Sequence, residues 1–301
     1  STPGGGHISH HRVGAVGKYT KNIVNLPMTA DGYHIDVDHT LDLMKALEPK
    51  VMILGKSLFL FPEPVKELAP VCKRRGIVLI YDAAHVLGLV AGRQFQDPLA
   101  EGAPLVTAST HKTFFGSQRG VILSNVDDDE WRKIDKGAFP GSSSNHHLET
   151  LVALSVATYE MLEFGGEYAR QVVTNAKRLA STLHDHGFEV QAAEFGFTES
   201  HQVAVDVSDI GGGEAVARDL KDNGIIVNMN LLPFEPLDHV TNPAGLRLGV
   251  QEMTRVGMKE PEMDTIAGFF KKALLGKKFV GDEVKEFRAQ YQDVLYSFDK
   301  S

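Results

Sequence analysis

Cysteine is almost absent from the 301-residue chain: Cys72 stands alone, so no intramolecular disulfide can form and a cross-linked scaffold is excluded. The thiol lies in the amphipathic stretch PEPVKELAPVCKRRG, where its simplest role is to fill core, and a cytoplasmic location fits such usage. Long apolar runs are also missing, none approaching the roughly 20 residues that span a bilayer. So are clusters of lysine and arginine. With 31 basic against 39 acidic residues, the formal net charge of -8 leaves no electrostatic footprint of a polyanion binder. Nucleic acid and membrane are therefore not expected partners, and a small molecule is. What remains is an ordinary globular composition, 43% hydrophobic, sufficient to bury one large domain and a smaller one.

Periodicity sets out the order of elements. DGYHIDVDHTLDLMKALEP reads as a turn entering a helix, and KVMILG as a short buried strand. PEPVKELAPVCKRRG is a second helix, with Pro in its first turn and Gly at its end, and IVLIYD is a continuous apolar strand. PLVTAST and RGVILSN add further strands, so the first half predicts an open, mostly parallel sheet with helices on both faces and ligands at the strand ends. HHLETLVALSVATYEMLEF and YARQVVTNAKRLASTLHDHG predict two long helices, the second closed by Gly187, that bridge to a second unit. That unit alternates QVAVDV, GEAVARDLKDNG, IIVNM, GLRLGV and EPEMDTIAGFFKKALL, ends in the helical DEVKEFRAQYQDVLYSF, and reads as small α+β. The expected boundaries are 1–160 for the large part and 161–301 for the small one.

Two residues at strand ends carry the first chemical signal. Asp82 closes IVLIYD at the ligand edge of the sheet, where a carboxylate serves either as a helix cap for the following turn or as the counter-ion of a bound cation; His85 follows it toward the same mouth. Lys112 closes TASTHK beside Ser109, Thr110 and His111. An ordinary strand-end lysine is solvated and protonated, and it becomes a nucleophile only when desolvated or held near other charges. Together, a lysine able to form a Schiff base and an aspartate able to pair with a pyridinium nitrogen are what a pyridoxal phosphate site requires.

YDAAHVLGLVAG, TASTHKTFFGSQRGVILSN, GAFPGSSSNHHLE and GLRLGVQEMTRVGMKEPEM follow one another as in serine hydroxymethyltransferases, a family of fold-type I pyridoxal phosphate enzymes, which the chain resembles from GGGHISH almost to its C-terminus. The resemblance implies an α/β fold-type I transferase with a mostly parallel sheet in its large domain and a smaller C-terminal α+β domain. It assigns Lys112 to the cofactor carbonyl and Asp82 to the pyridine nitrogen. Ser57 and His85 fall near the phenolic oxygen, and His7 over the ring face. Ser109 and His111 border the lysine. Arg247 in GLRLG matches the arginine that grips the substrate carboxylate, a task suited to a planar guanidinium. Gly5, Gly6 and Asn230 correspond to folate contacts, although Asn230 also reads as a plain polar turn residue. The implied activity is interconversion of serine and glycine, with tetrahydrofolate as co-substrate carrying the one-carbon unit, in a homodimer with shared active sites.

Some features depart from the family pattern. The family carries more chain ahead of GGHISH, so the expectation is a large domain incomplete at its N-terminus and an N-terminal segment supplied as a separate or unseen polypeptide. KTFFGSQRG has one more residue between lysine and Arg-Gly than the common pattern. FPGSSSNHH stands where a Gly-rich loop binds the neighbouring subunit's cofactor phosphate, a role that falls here to Ser143 and Ser144. These changes, with NLLPFEPLDHV in the pterin region, keep open a threonine aldolase or transaldolase that works without folate, and a catalytically silent pyridoxal-binding subunit. A metal module built on His7, His10 and His11 is weaker, since their spacing is not that of a zinc site and no metal is expected.

Overall fold

The computed structural model describes residues 5–233 and 235–298. Its first half contains β1 (Val51–Leu54), β2 (Val78–Asp82) and β3 (Leu105–His111), adjacent and parallel, with β4 (Phe115–Ser124) returning antiparallel beside β3. The helices of this half are α1 (Val16–Tyr19), α2 (Val37–Leu47), α3 (Val65–Arg75), α4 (Leu87–Ala91) and α5 (Asp128–Ala138). Local chemistry accounts for their limits. Asp36 accepts a hydrogen bond from the His39 N–H at the start of α2, and Gly76, in the left-handed region at φ 67°, closes α3 through its N–H to the Cys72 and Lys73 carbonyls. Between these ends α3 buries Val65, Leu68, Ala69 and Cys72.

A single helix, α6 (Leu148–Asp185), runs for 38 residues where two are predicted. Gly165 and Gly166, which lie between the two predicted stretches, sit where α6 passes the end of α4 so closely that a Cβ on Gly92 would lie 2.3 Å from the Gly165 carbonyl oxygen. Close packing at this crossing offsets the poor helix propensity of the glycines. The second half then forms an antiparallel sheet in the order β5 (Glu189–Val190), β6 (Gln202–Asp206), β8 (Gly245–Gly249), β7 (Asn228–Asn230), against which α6 and α7 (Gly212–Asp222) pack; α8 (Gln251–Arg255) and α9 (Glu260–Phe270) lie on α6, and α10 (Gly281–Arg288) follows. The helix predicted through DEVKEFRAQYQDVLYSF stops at Arg288. The rest is an irregular strap held by tertiary contacts: the Leu295 N–H donates to the Arg255 carbonyl, and the Tyr296 ring meets Tyr168 edge-on at 5.5 Å. Likewise the strand predicted in IIVNM begins only at Asn228, Ile226 being 87% exposed.

One continuous apolar core joins both halves, including Tyr81, Val106, Tyr168, Val205 and Leu246. A second cluster, with Tyr33, Leu58, Phe61, Ala204 and Leu232, packs the loop after β1 against the small sheet. Among the described residues, no helix is long and apolar enough to cross a membrane. Because β1, β2 and β3 are parallel, their C-terminal ends deliver Ser57, Asp82 and Lys112 to one edge.

Candidate active site

At that edge the chain leaves β1 through Gly55, whose φ of 114° belongs to glycine and whose added Cβ would stand 2.3 Å from the Asp82 carbonyl oxygen. Asp82 orders the turn that follows it, although the N-cap position of α4 itself is Val86. The Asp82 Oδ1 accepts the Ala84 N–H at 2.9 Å, ordering the turn before α4, while its Oδ2 pairs with His10 Nε2 at 2.8 Å. Burial pushes this carboxyl toward neutrality, but the His10 and Ala84 hydrogen bonds and the nearby His10 and His7 charges outweigh it, leaving the pKa below the ordinary aspartate value. A carboxylate offers about four lone-pair sites, so two donors leave room for a third.

His10 comes to Asp82 from a 3-10 turn over Ile8–His10, begun by His7. The His7 Nδ1 accepts the Ser9 N–H at 3.0 Å, and its ring lies 5.7 Å from that of His10. Burial, against the pull of Asp82, holds His7 below the usual histidine pKa. Among the described residues His7, His10 and His11 do not gather into a metal site. The Gly5 carbonyl accepts from the Ser57 and Leu58 N–H groups at 2.8 and 3.0 Å, bringing the opening segment against the loop after β1.

Lys112 follows an irregularity in β3, where the pairing with β4 shifts between Ser109 and His111. Such bulges re-aim side chains. Thr113, fully buried, anchors the next position: its hydroxyl donates to the His85 carbonyl at 2.7 Å and accepts from the Gly88 N–H at 3.0 Å. The lysine is thereby tied to the turn that carries Asp82 and His85. Its half-buried amine is held below the ordinary lysine pKa, chiefly by desolvation; Asp82 opposes this and Arg247 adds to it.

From the small sheet, β6 and β8 contribute Gln202 and Arg247 to the same place. The Ser57 carbonyl accepts from Gln202 Nε2 and from Arg247 Nη1, each at 3.0 Å. Gln202 Nε2 also stands 3.0 Å from His85 Nδ1, and the His85 and His201 rings stack at 6.0 Å with 19° between planes. Burial, together with the charges of Lys112 and Arg247, keeps both histidines neutral, His201 being pushed down to about 3 and His85 lower still. Arg247 has no carboxylate partner among the described residues, and burial works against its charge. A guanidinium in that condition is suited to receive an anion.

Seven residues singled out in the sequence therefore cluster: His7, Gly5, Ser57, Asp82, His85, Lys112 and Arg247. Ser109 and His111 flank the lysine on β3, and Gly6 adjoins His7. Ser143 and Ser144 do not join the cluster; they are exposed after α5, where the Ser143 hydroxyl donates to the Ala138 carbonyl. Asn230 sits on β7 opposite Gly245, its amide donating to the Leu231 carbonyl. Residues that the sequence did not single out as parts of such a site are Thr113, His201, Gln202 and, beyond its place in a histidine trio, His10. The chemical capacity of the cluster is plain: a partly desolvated amine, a carboxylate with spare acceptor capacity, and an unpaired guanidinium.

The family model for serine hydroxymethyltransferase matches residues 1–270. The serine hydroxymethyltransferase of Methanosphaera stadtmanae is 50% identical over 300 residues, covering 100% of this chain and 71% of the relative. That of Pyrococcus abyssi is 52% identical over 305 residues, covering 99% and 71%. A crystal structure of L-threonine transaldolase from Pseudomonas fluorescens in its internal aldimine state superposes with a TM-score of 0.90 at 32% identity, covering 99% of this chain and 68% of that one.

Proposed function

The chain belongs to the serine hydroxymethyltransferase family, and from that premise we propose that its strand-edge cluster holds pyridoxal 5'-phosphate and acts on serine and glycine, with tetrahydrofolate as co-substrate. It is a pyridoxal-phosphate-dependent enzyme of the hydroxymethyltransferase type, with a mixed α/β fold. The observation that carries the site reading is the convergence of the Lys112 amine, the Asp82 carboxylate and the unpaired Arg247 guanidinium on one edge of the sheet.

When bound, pyridoxal phosphate supplies an electron sink for charge developing at an amino-acid α-carbon. Lys112 anchors the cofactor carbonyl, its amine already part-desolvated. Asp82, ionised through its bonds to His10 and Ala84, would accept from the ring nitrogen and so favour its protonated form. His7 would hold the cofactor from its ring face, and Ser57 and His85 would serve its phenolic oxygen. Ser109 and His111 assist at the lysine, while Arg247 grips the substrate carboxylate and so orients the bond to be broken. Gly5, Gly6 and Asn230 are proposed folate contacts.

A homodimer with shared active sites belongs to the same proposal, Ser143 and Ser144 being exposed and so available to a second copy's cofactor phosphate. So do a cytoplasmic setting, with which the single buried thiol agrees, and a division of the chain near residue 160 into a cofactor-holding part and a smaller C-terminal part. The transaldolase likeness favours one second reading, threonine cleavage without folate, which the higher identity to hydroxymethyltransferases makes the lesser. An assay of cofactor-loaded protein with serine and with threonine, each with and without tetrahydrofolate, separates them. Serine turnover that needs tetrahydrofolate supports the main reading; threonine turnover indifferent to it, with none on serine, overturns that reading.

A further inference from the structure

Gln202 opens β6, is 2% exposed, and makes every contact of its amide with the other half of the chain. Its Oε1 accepts the Phe59 N–H at 2.6 Å, its Nε2 donates to the Ser57 carbonyl at 3.0 Å, and Nε2 is also 3.0 Å from His85 Nδ1. The first two partners decide which end of the amide is which. A backbone N–H can only donate and a backbone carbonyl can only accept, so rotating the amide by half a turn would set donor against donor and acceptor against acceptor. The nitrogen that meets His85 is therefore a donor, and His85 Nδ1 has to accept.

We infer that Gln202 is a positioning residue that fixes the His85 proton on Nε2, so that the ring offers its far nitrogen as a hydrogen-bond donor. His85 Nε2 has no protein partner among the described residues. A second proton on Nδ1 would face an amide N–H at hydrogen-bonding distance, and the ring is further surrounded by Lys112, Arg247, His7 and the stacked His201. The chain thus presents at this place a neutral donor, suited to an anionic oxygen and unable to take up a proton there as a base. If His85 borders the cofactor's phenolic oxygen, as the proposed function holds, that oxygen is the acceptor; this last step rests on that reading, whereas the placement of the proton does not. The Ser57 carbonyl that Gln202 uses is also the one Arg247 uses, so the His85 tautomer and the guanidinium share one backbone support.

The test is the protonation pattern of the His85 ring in the full chain, read by two-bond proton–nitrogen correlation on imidazole-labelled protein with and without pyridoxal 5'-phosphate, and assigned by its loss in His85→Asn. The wild-type chain is expected to show a proton on Nε2 and a bare Nδ1 in both states. Gln202→Met, of similar length but without donors, is expected to give a mixture of tautomers. Gln202→Glu, which turns an acceptor toward the ring, should move a proton onto Nδ1. A wild-type His85 protonated on Nδ1, or one unchanged in both folded variants, overturns the inference; the wild-type spectrum alone suffices should the variants not fold. A proton on Nε2 in a chain that binds no pyridoxal phosphate upholds the inference while refuting the proposed function.

Discussion

His10 Nε2 donates to Asp82 Oδ2 at 2.8 Å, joining the opening segment of the chain to the end of β2 across 72 positions of sequence. A carboxylate can only accept, so the His10 proton on this nitrogen is dictated by its partner. His10→Ala removes one of two donors that keep Asp82 ionised against its burial, and the Asp82 pKa rises. Pyridoxal phosphate affinity is expected to fall by roughly 10-fold, the scale of one charge-assisted hydrogen bond. Titration of the chain with the cofactor, followed by absorbance, checks this, and His10→Asn should restore part of the loss.

Lys112→Ala should abolish the visible absorbance of protein-linked pyridoxal phosphate. A borohydride-reducible link found at another lysine would refute its assignment. Thermal stability should not fall with it, since burial already works against the charge of this amine.

For Arg247→Ala the expected loss falls on the amino acid rather than on the cofactor. With the unpaired guanidinium gone, the KM for serine should rise by roughly 10- to 100-fold, as removal of a charged hydrogen-bonding group does. Equal losses in cofactor and amino-acid binding, measured separately, would count against the assignment. Arg247→Lys should recover little, because an ammonium cannot reproduce the planar fork.

Acid should destabilise the fold through His201. Its pKa is 6.5 in the unfolded reference and about 3 when folded, so below about pH 6.5 the unfolded chain takes up a proton that the folded one refuses. Stability from this group is whole above its unfolded value and declines as pH falls toward its folded value. Between pH 7 and pH 5 the decline amounts to about 2 kcal/mol. His85, depressed in the same sense, adds to it. Urea unfolding of wild type and His201→Phe at the two pH values checks the share of His201, since the variant should lose correspondingly less on acidification.

Particular residues show how much of this was legible in the sequence. Asp82 and Lys112 could be placed because each ends a strand with a clear apolar pattern, and in a parallel sheet strand ends share an edge. Arg247 is apparent only through the family motif around it. His10 carries no such signal: next to His7 and His11 it reads as part of a histidine group, and its partner lies in a different element. Gln202 reads as the polar start of a strand, yet all the partners of its side-chain amide come from loops and turns of the other half. Thr113 and His201 are equally silent, since burial of a hydroxyl or an imidazole has no local pattern.

The sequence by itself determined the α/β class, the order of the main strands and helices, the family, and the acid and lysine at the strand ends. Each of these rests on periodicity, chain punctuation or motif order, which are properties of neighbouring residues. The tertiary structure alone decided that α6 runs unbroken past Gly165, that the C-terminal segment after Arg288 packs as a strap, and that His10 meets Asp82. It also decided which way the Gln202 amide points, because that depends on a donor at Phe59 and an acceptor at Ser57, far away in sequence. Hydrogen-bond partners are selected by proximity and directionality in the folded chain, and neither is written in local pattern.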